Sequence, residues 1–240
     1  MRAKLIEVKS NQQLYSEGLR SYMIKVFNYM TLGLIVSALA AFIGAHQPVL
    51  GWLYSVTPTG IGLSAFGWLV LIAPFIIIFM FSSAVGKLNI GKAQTLFWVF
   101  SGLMGLSLSS VLLLYSGVFL TKVFLISAAT FAGFSLYGYT TQKDLTSFQS
   151  FLTVGLWGVI IASIVNFFMK SASLDYAISI IGVLVFVGLT AFDTQRIKAI
   201  YNEAPTDDHR QAAAISGALA LYLDFINLFL FLLRIMSDRR

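Results

Sequence analysis

The sequence predicts an all-α integral membrane protein in which seven transmembrane helices form one bundle. Of its 240 residues, 58% are apolar and only 11% are charged. A chain of this composition has more apolar surface than one soluble core could bury. No Asp, Glu, Lys or Arg occurs between Val26 and Gly86, and this gap is long enough for two spans of about 20 residues. The runs are also too long for a transmembrane barrel, whose strands alternate over about 10 residues.

The apolar runs follow one another with short loops between them. The predicted spans are residues 26–45, 61–81, 93–114, 118–139, 148–169, 176–200 and 212–235. They divide the chain into a basic tail (1–25), a transmembrane domain (26–235) and a short C-terminal tail (236–240). The first run exceeds the 7 to 15 residues of a typical signal-peptide core, so we expect it to be retained.

The distribution of basic residues predicts the orientation. Eleven of the 16 Lys and Arg residues lie in the N-terminal tail, in the second, fourth and sixth loops, or in the last turns of the span before the sixth loop, which places the N-terminus in the cytoplasm. A full seventh crossing puts Arg234 and the two terminal arginines on the opposite side, against this rule. The last run has the length to cross, roughly 36 Å as a helix, so we favour crossing, with a re-entrant segment as the alternative.

Small residues recur at every fourth position in two spans and predict close helix packing. The first span contains Gly33, Ser37 and Ala41, and the third contains Ser101, Gly105 and Ser109.

The last two spans each contain one carboxylate, Asp193 and Asp224. A charged residue at the centre of a membrane helix costs roughly 2.5 to 3.5 kcal/mol on insertion scales, and such residues usually line a functional path. A short loop joins the two helices, so they are expected to be neighbours, with both carboxylates in the cytoplasmic half. Burial and mutual repulsion disfavour two charges, so we expect the pair to share a proton and to titrate as a unit.

This pair predicts a pH-sensing site on an ion pathway. A shared proton would hold the bundle closed, whereas its loss would separate the carboxylates and favour a hydrated cavity that attracts cations. Oxygen ligands suit calcium, but two carboxylates are far from the 6 to 8 oxygens that calcium prefers. Asp193 and Asp224 would therefore bind calcium weakly and transiently, as a transported ion.

A structural role is the alternative, in which each aspartate bonds a neighbour and stabilises helix packing. Asn227 and Asn166 are candidate partners, and Thr194 and Gln195 directly follow Asp193.

Several other classes of protein are disfavoured, and we predict neither an enzyme nor a cofactor. The chain has no cysteine, and its two histidines, His46 and His209, lie in separate loops and form no zinc cluster. The Gly-x-Gly-Asp motif of intramembrane aspartyl proteases is absent from the contexts "TAFDTQ" and "LYLDFIN". The last span has no lysine for a retinal Schiff base. The basic residues are explained by orientation in the lipid bilayer, so no nucleic-acid partner is expected.

Four stretches carry a family resemblance. They are "FNYMTLGL" from Phe27, "YGYTTQKDLTSFQSFLTVGLWGVIIASIVNFF" from Tyr137, "TAFDTQRIK" from Thr190 and "ALALYLDFINLFLFLLRI" from Ala218. They resemble the transmembrane Bax inhibitor motif family, also called the Bax inhibitor-1 family, in its bacterial form. The resemblance implies a bundle with the last helix central, a bacterial inner-membrane location, and a pH-sensitive calcium leak gated by an aspartate pair whose contexts match Asp193 and Asp224.

The resemblance also implies an alternative function and shows one departure. Bacterial relatives are associated with restraining a membrane-bound AAA protease, so the protein could be an interaction protein without transport of its own, using its basic tail. Family members can use an arginine of the second span as a salt-bridge latch, and the second span here has no arginine.

Overall fold

The computed structural model describes residues 2–57 and 60–237, which form a helical bundle with one small hairpin. In chain order the helices and strands are α1 (Arg2–Gly44), α2 (Val49–Leu53), β1 (Tyr54–Thr57), β2 (Gly60–Leu63), α3 (Ala65–Gly86), α4 (Ile90–Ser107), α5 (Ser109–Leu114), α6 (Gly117–Thr140), a 3₁₀ turn (Leu145–Phe148), α7 (Gln149–Met169), α8 (Ala172–Glu203) and α9 (Asp207–Ser237). The strands pair antiparallel, with Tyr54 opposite Leu63.

Seven helical segments of the described chain are long and apolar enough to cross a membrane, which confirms the predicted fold class. They are Ser16–Gly44, Ala65–Gly86, Ile90–Leu114, Gly117–Thr140, Leu145–Met169, Ala172–Glu203 and Asp207–Ser237. Their outer faces carry large apolar side chains, for example Phe79 and Phe168, each 77% exposed. Such a surface is stable in lipid and would aggregate in water.

Hydroxyl and amide side chains begin several of these helices by capping their free N–H groups. Ser64 accepts a hydrogen bond from the N–H of Gly67 at the start of α3, and Asn89 accepts one from Lys92 at the start of α4. Ser171 does the same for α8. These caps lie at the junctions between spans.

The second and third predicted spans differ in detail from the structure. Ile61 was predicted to begin a helix, but it lies in β2, opposite Val56, and α3 begins only at Ala65. Glycines on both sides of Ile61 disfavour a helix and suit a hairpin. The third span is not continuous either, because α4 ends at Ser107 and α5 begins at Ser109.

The last helix is central, as expected. α9 packs against α8, α1, α6, α4 and α3. Half of its most apolar segment is buried, against 17% for the span that contains α7. Residues of α9 therefore have protein neighbours on most sides.

The predicted small-residue positions bring α1 and α4 together. A Cβ built on Gly105 would lie 2.7 Å from the Cα of Ser37, and one on Gly33 would lie 2.8 Å from the ring of Phe97. Neither position has room for a larger side chain, so the two backbones approach closely, as the pattern predicted.

The described part of α9 runs along the bundle to the end at which α8 begins. Near that end Nη1 of Arg234 lies 3.5 Å from Oδ1 of Asp175, in the first turn of α8. The structure therefore favours a full crossing over a re-entrant segment. We call the opposite end of the bundle, which contains the loop 204–206 between α8 and α9, the loop end.

The first helix continues without a break from the predicted tail into the first span. Leu19, Tyr22 and Met23 belong to the buried core. The side chains before Ser16 lie outside the described residues, and so does the C-terminal tail from residue 238. The division into tails and domain stays a prediction.

Candidate functional site

The site lies between α8 and α9, which pack antiparallel over most of their length. At the loop end the guanidinium of Arg210 lies 5.1 Å from the ring centroid of Tyr201. Farther along, the rings of Phe186 and Phe231 pack with centroids 5.8 Å apart. Asp193 and Asp224 lie between these two contacts.

Two glycines allow this close approach. A Cβ on Gly217 would lie 2.9 Å from Cγ1 of Ile197, and one on Gly182 would lie 2.7 Å from the ring of Phe231. Both distances are below the 3.5 to 4.0 Å of a good carbon contact. The helices are therefore close enough for short side chains to meet.

The carboxyl groups of Asp193 and Asp224 lie next to each other, close enough to interact. Asp224 is only 4% exposed, and its Oδ2 has no hydrogen-bond partner. An ionised carboxylate can only accept, so a bond between two carboxyl groups requires that one of them carry a proton and donate it. In this arrangement the two groups can bond when the pair holds one proton.

A cavity connects Asp193 with the loop end of the bundle. Its volume is about 530 Å³, and it lies between the end of α8, the start of α9 and the turn after α3. Asp193 lines it, together with Arg196, Glu203 and His209, whereas Asp224 does not. We call this cavity the vestibule. Asp193 is the member of the pair that faces it.

A buried hydroxyl network includes Tyr222, two residues before Asp224 on the same helix, and is not predicted from the sequence. The hydroxyl groups of Tyr222 and Ser37 are 2.7 Å apart, and Ser37 donates to the carbonyl oxygen of Ser101 at 2.7 Å. The ring of Tyr222 packs edge-on against Phe97 and Phe100. A tyrosine two residues before a membrane aspartate was the available signal. The sequence marks the two serines only as small packing residues.

Two of the predicted neighbours of the pair connect α8 to other elements. Thr194 donates to the carbonyl of Thr190 at 2.7 Å, and its hydroxyl lies 3.0 Å from that of Ser135 on α6. Gln195 accepts from the N–H of Leu145 and donates to the carbonyl of Lys143, both at 2.8 Å. These contacts orient the segment of α8 that carries Asp193.

The two predicted asparagines have other partners. Asn227 donates to the carbonyl of Leu223 on its own helix at 2.8 Å. Asn166 accepts from the N–H of Ser171 in the loop between α7 and α8. That loop lies at the end of α8 opposite the vestibule.

Within the described part of the chain, no group of three or more His, Cys, Asp or Glu residues could hold a metal ion. The pair offers carboxylate oxygens only, which suit hard cations such as calcium. Most of the remaining ligands of such an ion would have to be water molecules.

The fold and this site define a class: a seven-helix integral membrane protein with two neighbouring carboxyl groups inside the bundle. Residues 19–240 match the family described as "Inhibitor of apoptosis-promoting Bax1". The chain therefore belongs to the Bax inhibitor-1 family.

Bacterial relatives match nearly the whole chain. A Rickettsia prowazekii protein, RP147, is 44% identical over 99% of this chain and 98% of its own length. The Escherichia coli inner membrane protein YbhL is 42% identical over 93% of this chain and 94% of its own length. A Caulobacter vibrioides protein is 42% identical over 93% of this chain and 90% of its own. The family name and the YbhL name describe no enzymatic activity.

Proposed function

We propose that this protein is a pH-sensitive calcium leak of the bacterial inner membrane, gated by Asp193 and Asp224. The observation that carries the proposal is the location of the two carboxyl groups. They lie next to each other where the vestibule ends inside the bundle, with Asp193 facing the cavity and Asp224 buried behind it.

The shared proton holds the closed state. When it is present, one carboxyl group donates to the other and the pair connects α8 to α9. When it leaves, two unit charges about 4 Å apart repel each other by roughly 4 kcal/mol at an effective dielectric constant of 20. That repulsion favours separation of the helices and entry of water, so deprotonation opens the path.

The deprotonated pair attracts calcium but binds it only weakly. Two carboxylates supply the negative charge that draws a cation from the vestibule, and Glu203 adds a further negative charge along the way. Because calcium prefers 6 to 8 oxygens, most of its ligands remain water. Weak binding of this kind permits entry and release, which conduction requires.

The closed path ends at the aromatic layer around Tyr222. This side chain is fully buried between Phe97 and Phe100, and its hydroxyl is held by Ser37. Separation of α9 from α8 moves this layer, because Tyr222 lies on the same helix as Asp224. Opening at the carboxyl pair and opening at the aromatic layer are therefore coupled.

The orientation is part of the proposal. The bias of basic residues places the N-terminus in the cytoplasm, and the loop end of the bundle lies on the same side as the start of the first span. The vestibule then opens to the cytoplasm, so the leak responds to cytoplasmic pH. The printed name of YbhL supports the inner membrane as the location.

The test is calcium flux into proteoliposomes containing an indicator dye, measured at several pH values. We expect wild-type flux to rise as the pH is raised. Asp193→Asn and Asp224→Asn should lose this dependence, because neither variant can form the charged pair. Asp208→Asn is the matched control, since Asp208 is exposed at the start of α9. Flux that keeps its pH dependence in both paired variants would contradict the proposal.

A further inference from the structure

A crevice separates α1 from α6. Both helices pack against α9 but make few contacts with each other. The gap contains two adjoining cavities of about 640 and 300 Å³, which share Leu34, Phe124 and Phe225 as lining residues. Phe225 of α9 forms the floor.

The crevice is apolar over most of its length and lies within the membrane spans. The larger cavity extends along α1 from Arg20 to Leu34, about 21 Å of helix. Its walls are mainly Met23, Phe27, Met30, Phe131 and Leu136. Both flanking segments, Ser16–Gly44 and Gly117–Thr140, are long and apolar enough to cross the bilayer. The medium that meets this opening is therefore hydrocarbon.

An empty crevice would be unfavourable, because carbon atoms at its surface would lose the dispersion contacts that a filled space provides. Its shape indicates what fills it. A volume of about 640 Å³ spread over about 21 Å of helix makes the crevice long and narrow. Such a shape suits an extended acyl chain.

Positive charge lies at one end of the crevice. Arg20 lines it near the start of the first span and is exposed. Tyr139 lines it from α6, and the ammonium of Lys198 lies 5.1 Å from the Tyr139 ring centroid. The ion pairs of the described residues, Arg210–Asp207 and Arg234–Asp175, do not involve Arg20. Its guanidinium is available for a phosphate.

We propose that this crevice binds one acyl chain of a phospholipid, with the headgroup phosphate at Arg20 and with a preference for anionic headgroups. The acyl chain enters from the leaflet at the loop end, lies between α1 and α6, and contacts Phe225. Because Phe225 directly follows Asp224, the bound chain packs against the helix turn that carries the buried carboxyl group. The site stands on the shape and charge of the crevice and does not depend on calcium flux.

Photolabelling tests the chain position. The full-length protein is reconstituted with phosphatidylglycerol that carries a diazirine on one acyl chain, and labelled residues are mapped by mass spectrometry. Lipid in the crevice labels Phe225, which is only 4% exposed, whereas surrounding bilayer lipid labels outward residues such as Phe168. Labelling of Phe168 without Phe225 would overturn the proposal, as would a crosslink of Phe225 to a second protein chain.

A variant whose side chain fills the crevice provides the control. Ala132 lines the larger cavity and is exposed, so Ala132→Trp should block entry and reduce labelling of Phe225 at least tenfold. Gly133→Trp, one residue farther along α6, points into open space, since no atom lies within 4 Å of a Cβ there. It should leave labelling of Phe225 unchanged, and Phe168 labelling in both variants reports the folded bundle. Equal loss in both variants would refute the site.

Competition between lipids with different headgroups tests the role of the positive charge of Arg20. Unlabelled phosphatidylglycerol should displace the probe more effectively than phosphatidylcholine, and Arg20→Gln should reduce this preference about fivefold, the effect of one basic residue at a membrane surface. Lys143→Gln, an exposed lysine outside the crevice, should leave the preference intact. Inorganic phosphate alone should not displace the probe, because it has no chain. Displacement by inorganic phosphate, or an unchanged preference in Arg20→Gln, would contradict the headgroup assignment.

Discussion

Gly138 on α6 is predicted to control the distance between α6 and α8 beside the carboxyl pair. A Cβ at this position would lie 2.8 Å from the carbonyl carbon and 2.9 Å from the Cα of Ala191, and closer still to the carbonyl oxygen. Good carbon contacts begin at about 3.5 Å, so Gly138→Ala requires the helices to separate by at least about 0.7 Å. The obstacle is backbone, which cannot rotate aside as a side chain would.

Overpacking of this kind destabilises by about 1 to 3 kcal/mol. For a chain of this length that corresponds to a melting temperature lower by roughly 3 to 10 °C. Ala191 is two residues before Asp193, so the same displacement should alter the contact between Asp193 and Asp224. We therefore also expect altered pH dependence in the flux assay.

The assay is thermal unfolding in detergent at a constant scan rate, with Gly133→Ala as the matched control. Gly133 is on the same helix, and a Cβ there meets no atom within 4 Å. Replacing an open helical glycine should be neutral or stabilising by up to about 1 kcal/mol. If Gly138→Ala unfolds at the same temperature as Gly133→Ala, the close approach of α6 to α8 is wrong.

Two further predictions concern single hydrogen bonds. Tyr222→Phe removes the 2.7 Å contact with Ser37 and should lower stability by about 0.5 to 1.5 kcal/mol, measured by thermal unfolding against the exposed control Tyr137→Phe. An equal effect of both variants would argue against the network. In the loop after α6, hydrogen bonds from Thr146 lower the pKa of Asp144 from its ordinary value of 3.8. The stabilising contribution of the Asp144 carboxylate should therefore be complete above about pH 4 and be lost as the pH falls through the lowered pKa. The measurement is amide exchange at Thr146, which should become faster as this contribution is lost. The control variant Asp144→Asn should show little pH dependence in this range.

The sequence predicted the spans well because hydropathy is a property of each segment by itself. It failed at Ile61, where an apolar residue between glycines joined a hairpin rather than the helix that follows. It also missed the break between α4 and α5. An apolar run predicts burial in lipid, but it does not distinguish a short strand or an interrupted helix from a continuous one.

Predictions of packing were accurate only where the pattern was regular. Gly33 and Gly105 lie at close contacts between helices, as the repeat of small residues at every fourth position predicted. Gly138 and Gly182 make approaches that are equally close, yet no repeat of small residues marked them. Gly158 of α7 is also a small residue within a span, but no atom lies within 4 Å of a Cβ built there. Which face of a helix meets a neighbour depends on its rotation and tilt, and the sequence does not specify these directly.

By itself, the sequence determined the membrane environment, the seven helices and the presence of a carboxylate in each of the last two. Composition and the length of apolar runs decide these features, because the free energy of transfer into lipid is nearly additive along a segment. Only the tertiary structure decided that the hydroxyls of Tyr222 and Ser37 meet, that Asp193 and not Asp224 faces the vestibule, and that α1 and α6 leave a crevice. Each of these depends on how separate helices rotate and cross, which is set by contacts between residues far apart in the chain.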